Sequence, residues 1–332
     1  MISPLTGPNT PANPHFARRP GSIRRTTSIS AVWPQGPGQP KLMTGEARDL
    51  ITQADGATRV ADEGRFEILT SPRREILTIA TAPDIAALHR LVGERAGANL
   101  RLRIGAAIPH HKKAGTPLYQ LLDDFCGASL VAPWAWSLWD PDWMRRAVFT
   151  AGRNGSMQGV CVGFAPGASS LDAHGNNDPL AHNATPIPDI TNPEDPLAWH
   201  EMIAQEGTAV RRLRRLDIWR EAGVLHANLH FQDSATTPQG GRAAVHEYLA
   251  TATADAQTFE LLSLNADPRI LPYPECPAAV PLAGAMLGQK LTGFRASVLE
   301  TLPGTRGCTH FNDVLRSLAD LPALAATLAA AS

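Results

Sequence analysis

Laid against itself, the chain runs through one order of elements twice, and this constrains the fold more than any property of its composition. ILTIATAP, a helical stretch through LHRLVG, the alternating strand ANLRLRI and the helix of TPLYQLLDDF, which starts at Thr116-Pro117 with Leu118, Leu121, Leu122 and Phe125 at helical spacing, recur as LLSLNADP, a helical stretch through AGAMLG, GFRASVL and THFNDVLRSL. Both units open on paired arginines, Arg24-Arg25 ahead of SIS and Arg214-Arg215 ahead of LDIW. A period of about 190 residues describes a pseudo-dimer, not a solenoid. Hairpins and helices segregate within each unit, with no sustained β-α-β alternation, which favours α+β over a doubly wound parallel sheet. The expected fold is α+β: two related units, each an antiparallel β-meander plus helices, forming a pseudo-twofold tandem.

The expected divisions are a proline- and asparagine-rich mobile tail over 1–20, a first unit over 21–128, a connector or lid over 129–208, and a second unit over 209–332 that carries the site. Four tryptophans fall within ten residues of the connector, from Trp134 to Trp143, and a proline-, asparagine- and glycine-rich loop follows from Pro166 to Pro196. A long irregular segment inside a compact chain reads as a lid or binding loop. Trp134, Trp136 and Trp139 are therefore assigned to a hydrophobic substrate, although sealing the joint between units would use the same side chains.

Two helix entrances carry reactive atoms. Pro277 follows Cys276 and precedes apolar Val280, Ala283 and Leu287, so a helix starts there. Thr309 is placed to cap a helix whose Phe311, Val314, Leu315 and Leu318 share one face, with Cys308 and His310 at its amino end. If accessible, a cysteine at such an end has a lowered pKa. Buried, it is a small apolar residue. In the first unit Gly115, Thr116 and Pro117 take the places of Cys308, Thr309 and His310, so the chain holds one site.

The strand GVLHANLHF puts His226, Asn228 and His230 on one face and Leu225, Ala227, Leu229 and Phe231 on the other. The turn TTPQGG leads into AAVHEYLATAT, a hairpin partner on which His246 and Tyr248 share a face. His226 and His230 with Asp233 or His246 could ligate zinc or iron. Asp233 points to the other face of a regular strand, however, and no H-E-x-x-H motif is present. The expectation is no metal, with His226 and His230 contacting substrate.

LPY-x-EC-P at Leu271, G-FR at Gly293 and GCTH-x-ND at Gly307 resemble the bacterial family DUF2889, as do RRTTSI at Arg24, GVCVGF at Gly159, DPLAWH at Asp195 and VHEY at Val245. The similarity runs from about Arg18 to the end of the chain, and the family implies no particular chemistry.

Charge and missing motifs bound the function further. A net charge of −1 gives no electrostatic footprint for nucleic acid or an anionic membrane, and the RRLRR run at Arg211–Arg215 is read as a solvated face or strand edge with carboxylate partners. No stretch reaches the roughly 20 apolar residues of a membrane span, and no signal-peptide h-region opens the chain. Four cysteines without C-x-x-C spacing give neither a disulfide framework nor structural zinc. A cytoplasmic protein is expected, with an oligomer left open. No G-x-G-x-x-G, Walker or G-x-S-x-G motif is present, so no cofactor is expected and the side chains themselves supply acid, base or nucleophile. The leading reading is a cofactor-independent lyase that cleaves a carbon–carbon bond of a hydrophobic, aromatic small molecule by a retro-aldol or deformylation route. His246, Tyr248, His310, Cys308 and Asp233 are its catalytic candidates. The alternatives are a thiol-dependent hydrolase or thioesterase, and a non-catalytic ligand-binding or assembly protein.

Overall fold

Eight long strands form wherever β-branched and alternating residues run between glycine or proline turns. They are β1 (Ser22–Val32), β2 (Lys41–Thr52), β3 (Thr58–Thr70), β4 (Ile76–Ala82), β6 (Ala209–Glu221), β7 (Val224–Thr236), β8 (Arg242–Asp255) and β9 (Leu261–Ile270). With the short β5 (Thr185–Ile187) they make one nine-stranded sheet in the order β4-β3-β2-β1-β6-β7-β8, where β5 and β9 share the far edge of β8. Every pairing is antiparallel. Two four-stranded meanders therefore meet through their first strands, with Arg25 opposite Leu216 and Thr26 opposite Arg215. The structure is a computed structural model and describes residues 9–151, 157–178, 180 and 182–331.

The helices are α1 (Ala98–Ala107), α2 (Pro109–Ala114), α3 (Pro117–Val131), α4 (Ala135–Trp139) and α5 (Pro141–Ala151) after the first meander. After the second come α6 (Ala279–Leu282), α7 (Phe294–Thr301), α8 (Thr309–Arg316) and α9 (Leu321–Ala329). ANLRLRI, expected as a strand, is α1, and the corresponding GFRASVL is α7. The reason is that Leu100, Ile104 and Ile108 are buried four apart while Leu102 is 72% exposed, so period four prevails over period two. Helices α3, α8 and α9 lie on one face of the sheet. Two apolar clusters fill that interface: one around Phe66, Leu118 and Phe125, the other around Phe231, Phe294 and Phe311.

Between the clusters runs a belt of buried ion pairs. Strands β1 and β6 are covered on both faces over most of their length yet carry six buried arginines, and burying a charge is tolerated only with a partner. On the helix side Arg25 pairs with Asp49 and Asp320, Arg212 with Asp233 and Asp313, and Arg214 with Asp124. Gly127 of α3 makes room for this belt, because a Cβ there would lie 2.4 Å from both Arg212 Nη1 and Asp313 Oδ2. On the other face Arg24 and Arg215 share Asp217. The RRLRR run is thus an interior feature, not a solvated one; its carboxylate partners are present, but the double covering of β6 removes the water.

Residues 9–20, expected as a mobile tail, cross this second face. Ala12 N donates to Glu247, Arg18 pairs with Asp195, and the Phe16 ring sits under the Arg215 guanidinium at 3.8 Å. The first eight residues of the expected tail lie outside the described residues. Trp199 and His200 cover the same face: Trp199 packs on Leu213, and His200 lies within hydrogen-bond distance of Ser28 and Thr26.

Candidate functional site

On the hairpin of β7 and β8, alternation turns Phe231 and Asp233 toward the helices and His226, Asn228 and His230 away from them. His230 lies against Glu247 at 2.8 Å, and His226 stacks on Trp219. Neither histidine meets His246, so the metal set built on them does not form and neither borders the cavity described below. The ladder pairs Asp233 with His246 and then skips Val245, a β-bulge. Bulges re-aim side chains at the ends of strands. Here both Val245 and His246 border one cavity.

Helix α8 supplies the opposite wall. Its first residue is Thr309, and Cys308 occupies the N-cap position without making a side-chain cap bond. The expected Thr309 cap is thus displaced by one residue. His310, on the first turn, stacks on His246 with ring centroids 3.5 Å apart. His246 Nδ1 lies 3.3 Å, and His310 Nε2 3.7 Å, from Asp233 Oδ2. Arg212 grips both oxygens of Asp233 at 2.8 and 3.0 Å.

Electrostatics divide these groups cleanly. Burial raises the Asp233 carboxyl, but Arg212 together with the contacts from His246 and His310 outweighs it and holds the group well below the usual range, so it is anionic. Burial lowers both histidines, His246 against the pull of Asp233 and His310 with further repulsion from His246, so both are neutral. Cys308 is 2% exposed, and burial raises its thiol despite the backbone N–H groups of Phe311 and His310. The condition for a lowered pKa at this helix entrance, an accessible thiol, is thus not met, and desolvation prevails. Cys161 is pushed up to about 11 by burial, and Cys276 rises for the same reason.

The cavity encloses about 200 Å³. Trp134, Met144, Met157, Phe164, Val245 and Tyr273 make it largely apolar, and Asn177 and His182 come from the loop of the connector. Cys161, Cys276 and Cys308 border it as well. Of the three candidate tryptophans only Trp134 borders it. Trp136 packs between Trp33 and Trp143, and Trp139 donates to the Thr236 carbonyl. Tyr248 is also outside its lining; its hydroxyl is 3.6 Å from Cys308 Sγ and its ring stacks on Phe311. The connector reaches the site because Gly163 lacks a side chain: a Cβ there would meet Cys276 Sγ at 2.9 Å.

The structure thus brings together Asp233, His246, His310, Cys308 and Trp134, and sets apart His226, His230, Trp136 and Trp139. Sequence reasoning missed Arg212, Cys161 and Tyr273. Their signals were the RRLRR run, the GVCVGF motif and the LPYPEC motif, and the last two converge on this cavity with VHEY and GCTH.

Residues 210–323, part of the chain and not nearly all of it, match the family described as protein of unknown function (DUF2889). VHEY, LPYPEC and GCTH fall inside the match, whereas RRTTSI, GVCVGF and DPLAWH fall outside it. No curated protein and no solved structure matches the chain. Among the described residues no helix is long and apolar enough to cross a membrane.

Proposed function

We propose that the cavity is the active site of a lyase that cleaves a carbon–carbon bond of a hydrophobic, aromatic small molecule, with the base located at the Asp233–His246–His310 wall. The observation that carries this reading is the stacked pair of imidazoles, His246 and His310, that borders the apolar cavity with the Arg212-held Asp233 carboxylate behind it. A neutral imidazole accepts a proton, and the adjacent anion stabilises the imidazolium that results. In a retro-aldol step the base takes the proton of a substrate hydroxyl and the carbinol becomes an aldehyde. The electrons of the broken C–C bond pass to the fragment carrying an aryl or carbonyl group, and the imidazolium returns the proton to that carbon. Nothing else is consumed.

Size supports the substrate class, since an apolar cavity of roughly 150 Å³ already takes up benzene. One ring with a short side chain fits about 200 Å³. The test is aldehyde release from aryl β-hydroxy ketones and aryl hydroxymethyl compounds. Release that disappears in His310→Ala supports the lyase. Binding of the same compounds without release from any of them makes the protein a binder instead.

The two meanders are further proposed to be copies of one unit. The register supports this: Arg24 and Arg25 lie opposite Asp217 and Leu216 as Arg214 and Arg215 lie opposite Thr27 and Thr26, and α1 and α3 follow the first meander as α7 and α8 follow the second.

A further inference from the structure

We propose that Asp233, His246 and His310 bind one divalent transition-metal ion, zinc or ferrous iron, whose remaining coordination positions face the apolar cavity. This deepens the lyase reading and rests on it only for the use made of the ion.

One donor atom from each of the three side chains lies within 4.8 Å of the other two. A triangle of that size closes on an ion at the about 2.0–2.2 Å of zinc–nitrogen and zinc–oxygen bonds with small side-chain movements. A second observation points to a ligand independently. His246 is 5% exposed, yet its Nδ1 has no hydrogen-bond partner of good geometry. A buried nitrogen lone pair without a donor is unfavourable. His310 Nε2, 3.7 Å from the same Asp233 oxygen, brings a second ring nitrogen to the place where His246 Nδ1 lies, and one cation would bind both.

The surroundings fit. Arg212 holds Asp233 in position by one hydrogen bond to each oxygen, which leaves further lone pairs on the carboxylate, and outer partners of this kind orient metal ligands. Arg212 also contacts Asp313, so its charge is shared between two carboxylates. Two nitrogens and one oxygen suit zinc or ferrous iron rather than calcium or magnesium. Three protein ligands with an open side describe a catalytic centre, because a structural zinc site is closed by four. A water on such an ion ionises near neutral pH and would take the base's part in place of the imidazole.

The full chain, stripped with a chelator, is titrated with Zn²⁺, with Fe²⁺ under anaerobic conditions, and with Co²⁺ as a spectroscopic probe. The expected result is one ion per chain, a visible Co²⁺ spectrum without a sulfur-to-metal charge-transfer band, and affinity reduced about 100-fold or more in His310→Gln. Because that variant could also perturb folding, the Co²⁺ spectrum of the unaltered chain stands as a separate measurement. No uptake of any of the three ions overturns the proposal. So does a thiolate charge-transfer band, or loss of binding in Cys308→Ala, either of which would place the ion on the cysteines. Aldehyde release by chelated protein that takes up no metal would overturn the metal site and leave the imidazole base standing. Stoichiometric uptake with no release from any substrate would do the reverse.

Discussion

Helix α3 follows the first meander and α8 follows the second, and their amino ends are finished differently. At α3, Thr116 accepts from the backbone N–H of Tyr119 at 3.3 Å, Pro117 takes the first helical position, and His111 Nδ1 lies 3.0 Å from the threonine oxygen. At α8, Cys308 fills the cap position without a cap bond, and the first turn directs His310 toward Asp233. One end satisfies its own backbone. The other leaves that stabilisation out and presents side chains to a cavity.

The largest effect that would sharpen this contrast is on turnover. His310→Ala should lower aldehyde release by roughly 10²–10⁴-fold, while Thr116→Ala should leave initial rates unchanged; equal effects at the two ends would dissolve the distinction. Next is the anchor behind the site. Arg212→Met leaves Asp233 and Asp313 short of a buried cation and should cost about 3–5 kcal/mol in urea unfolding. The exposed Arg19–Glu221 pair offers the control, with Arg19→Met changing stability by less than about 1 kcal/mol.

Acid sensitivity comes third and tests the face of the sheet remote from the cavity. Burial, with repulsion from Arg48 and Arg211, lowers His200 from 6.5 to about 3. The unfolded chain therefore binds the proton first, and stability contributed by neutral His200 is present above pH 6.5 and lost as pH falls toward 3. The slope is up to about 1.4 kcal/mol per pH unit. Unfolding midpoints of His200→Gln should be correspondingly flatter across that window; an unchanged slope would mean that His200 is charged in the fold. Smallest are the caps themselves. Thr116→Ala should cost about 1 kcal/mol. Cys308→Ala should cost about 1 kcal/mol, since it loses one buried sulfur and the Tyr248 hydroxyl's contact with it but no cap bond.

Much of this architecture was legible because alternation and capping are local. GVLHANLHF sorted its residues to the correct faces, and Leu118, Leu121, Leu122 and Phe125 announced α3. ANLRLRI misled because seven residues satisfy both periods, and only packing of Leu100 and Ile104 decides between them. The RRLRR run misled for a different reason: nothing in it shows that both faces of β6 are covered. The Asp233–His246–His310 cluster depends on the pairing register of β7 and β8 and on a helix that starts more than sixty residues further along. Yet the alternation that turned Asp233 from His230 already placed it on the helix side, where His246 also lies.

The seam between β1 and β6 has a consequence during synthesis. The two strands that form the middle of the sheet are separated by the segment from Val32 to Ala209. A ribosome adding about 5–20 residues per second completes β1 many seconds before its partner exists. Throughout that interval the nascent first meander presents an open strand edge, with Arg24 still lacking Asp217. Such an edge is a template for pairing with another chain. The emerging protein is therefore most exposed to self-association, and most in need of a holding chaperone, before β6 is made, and its own second meander is the competitor that ends the hazard.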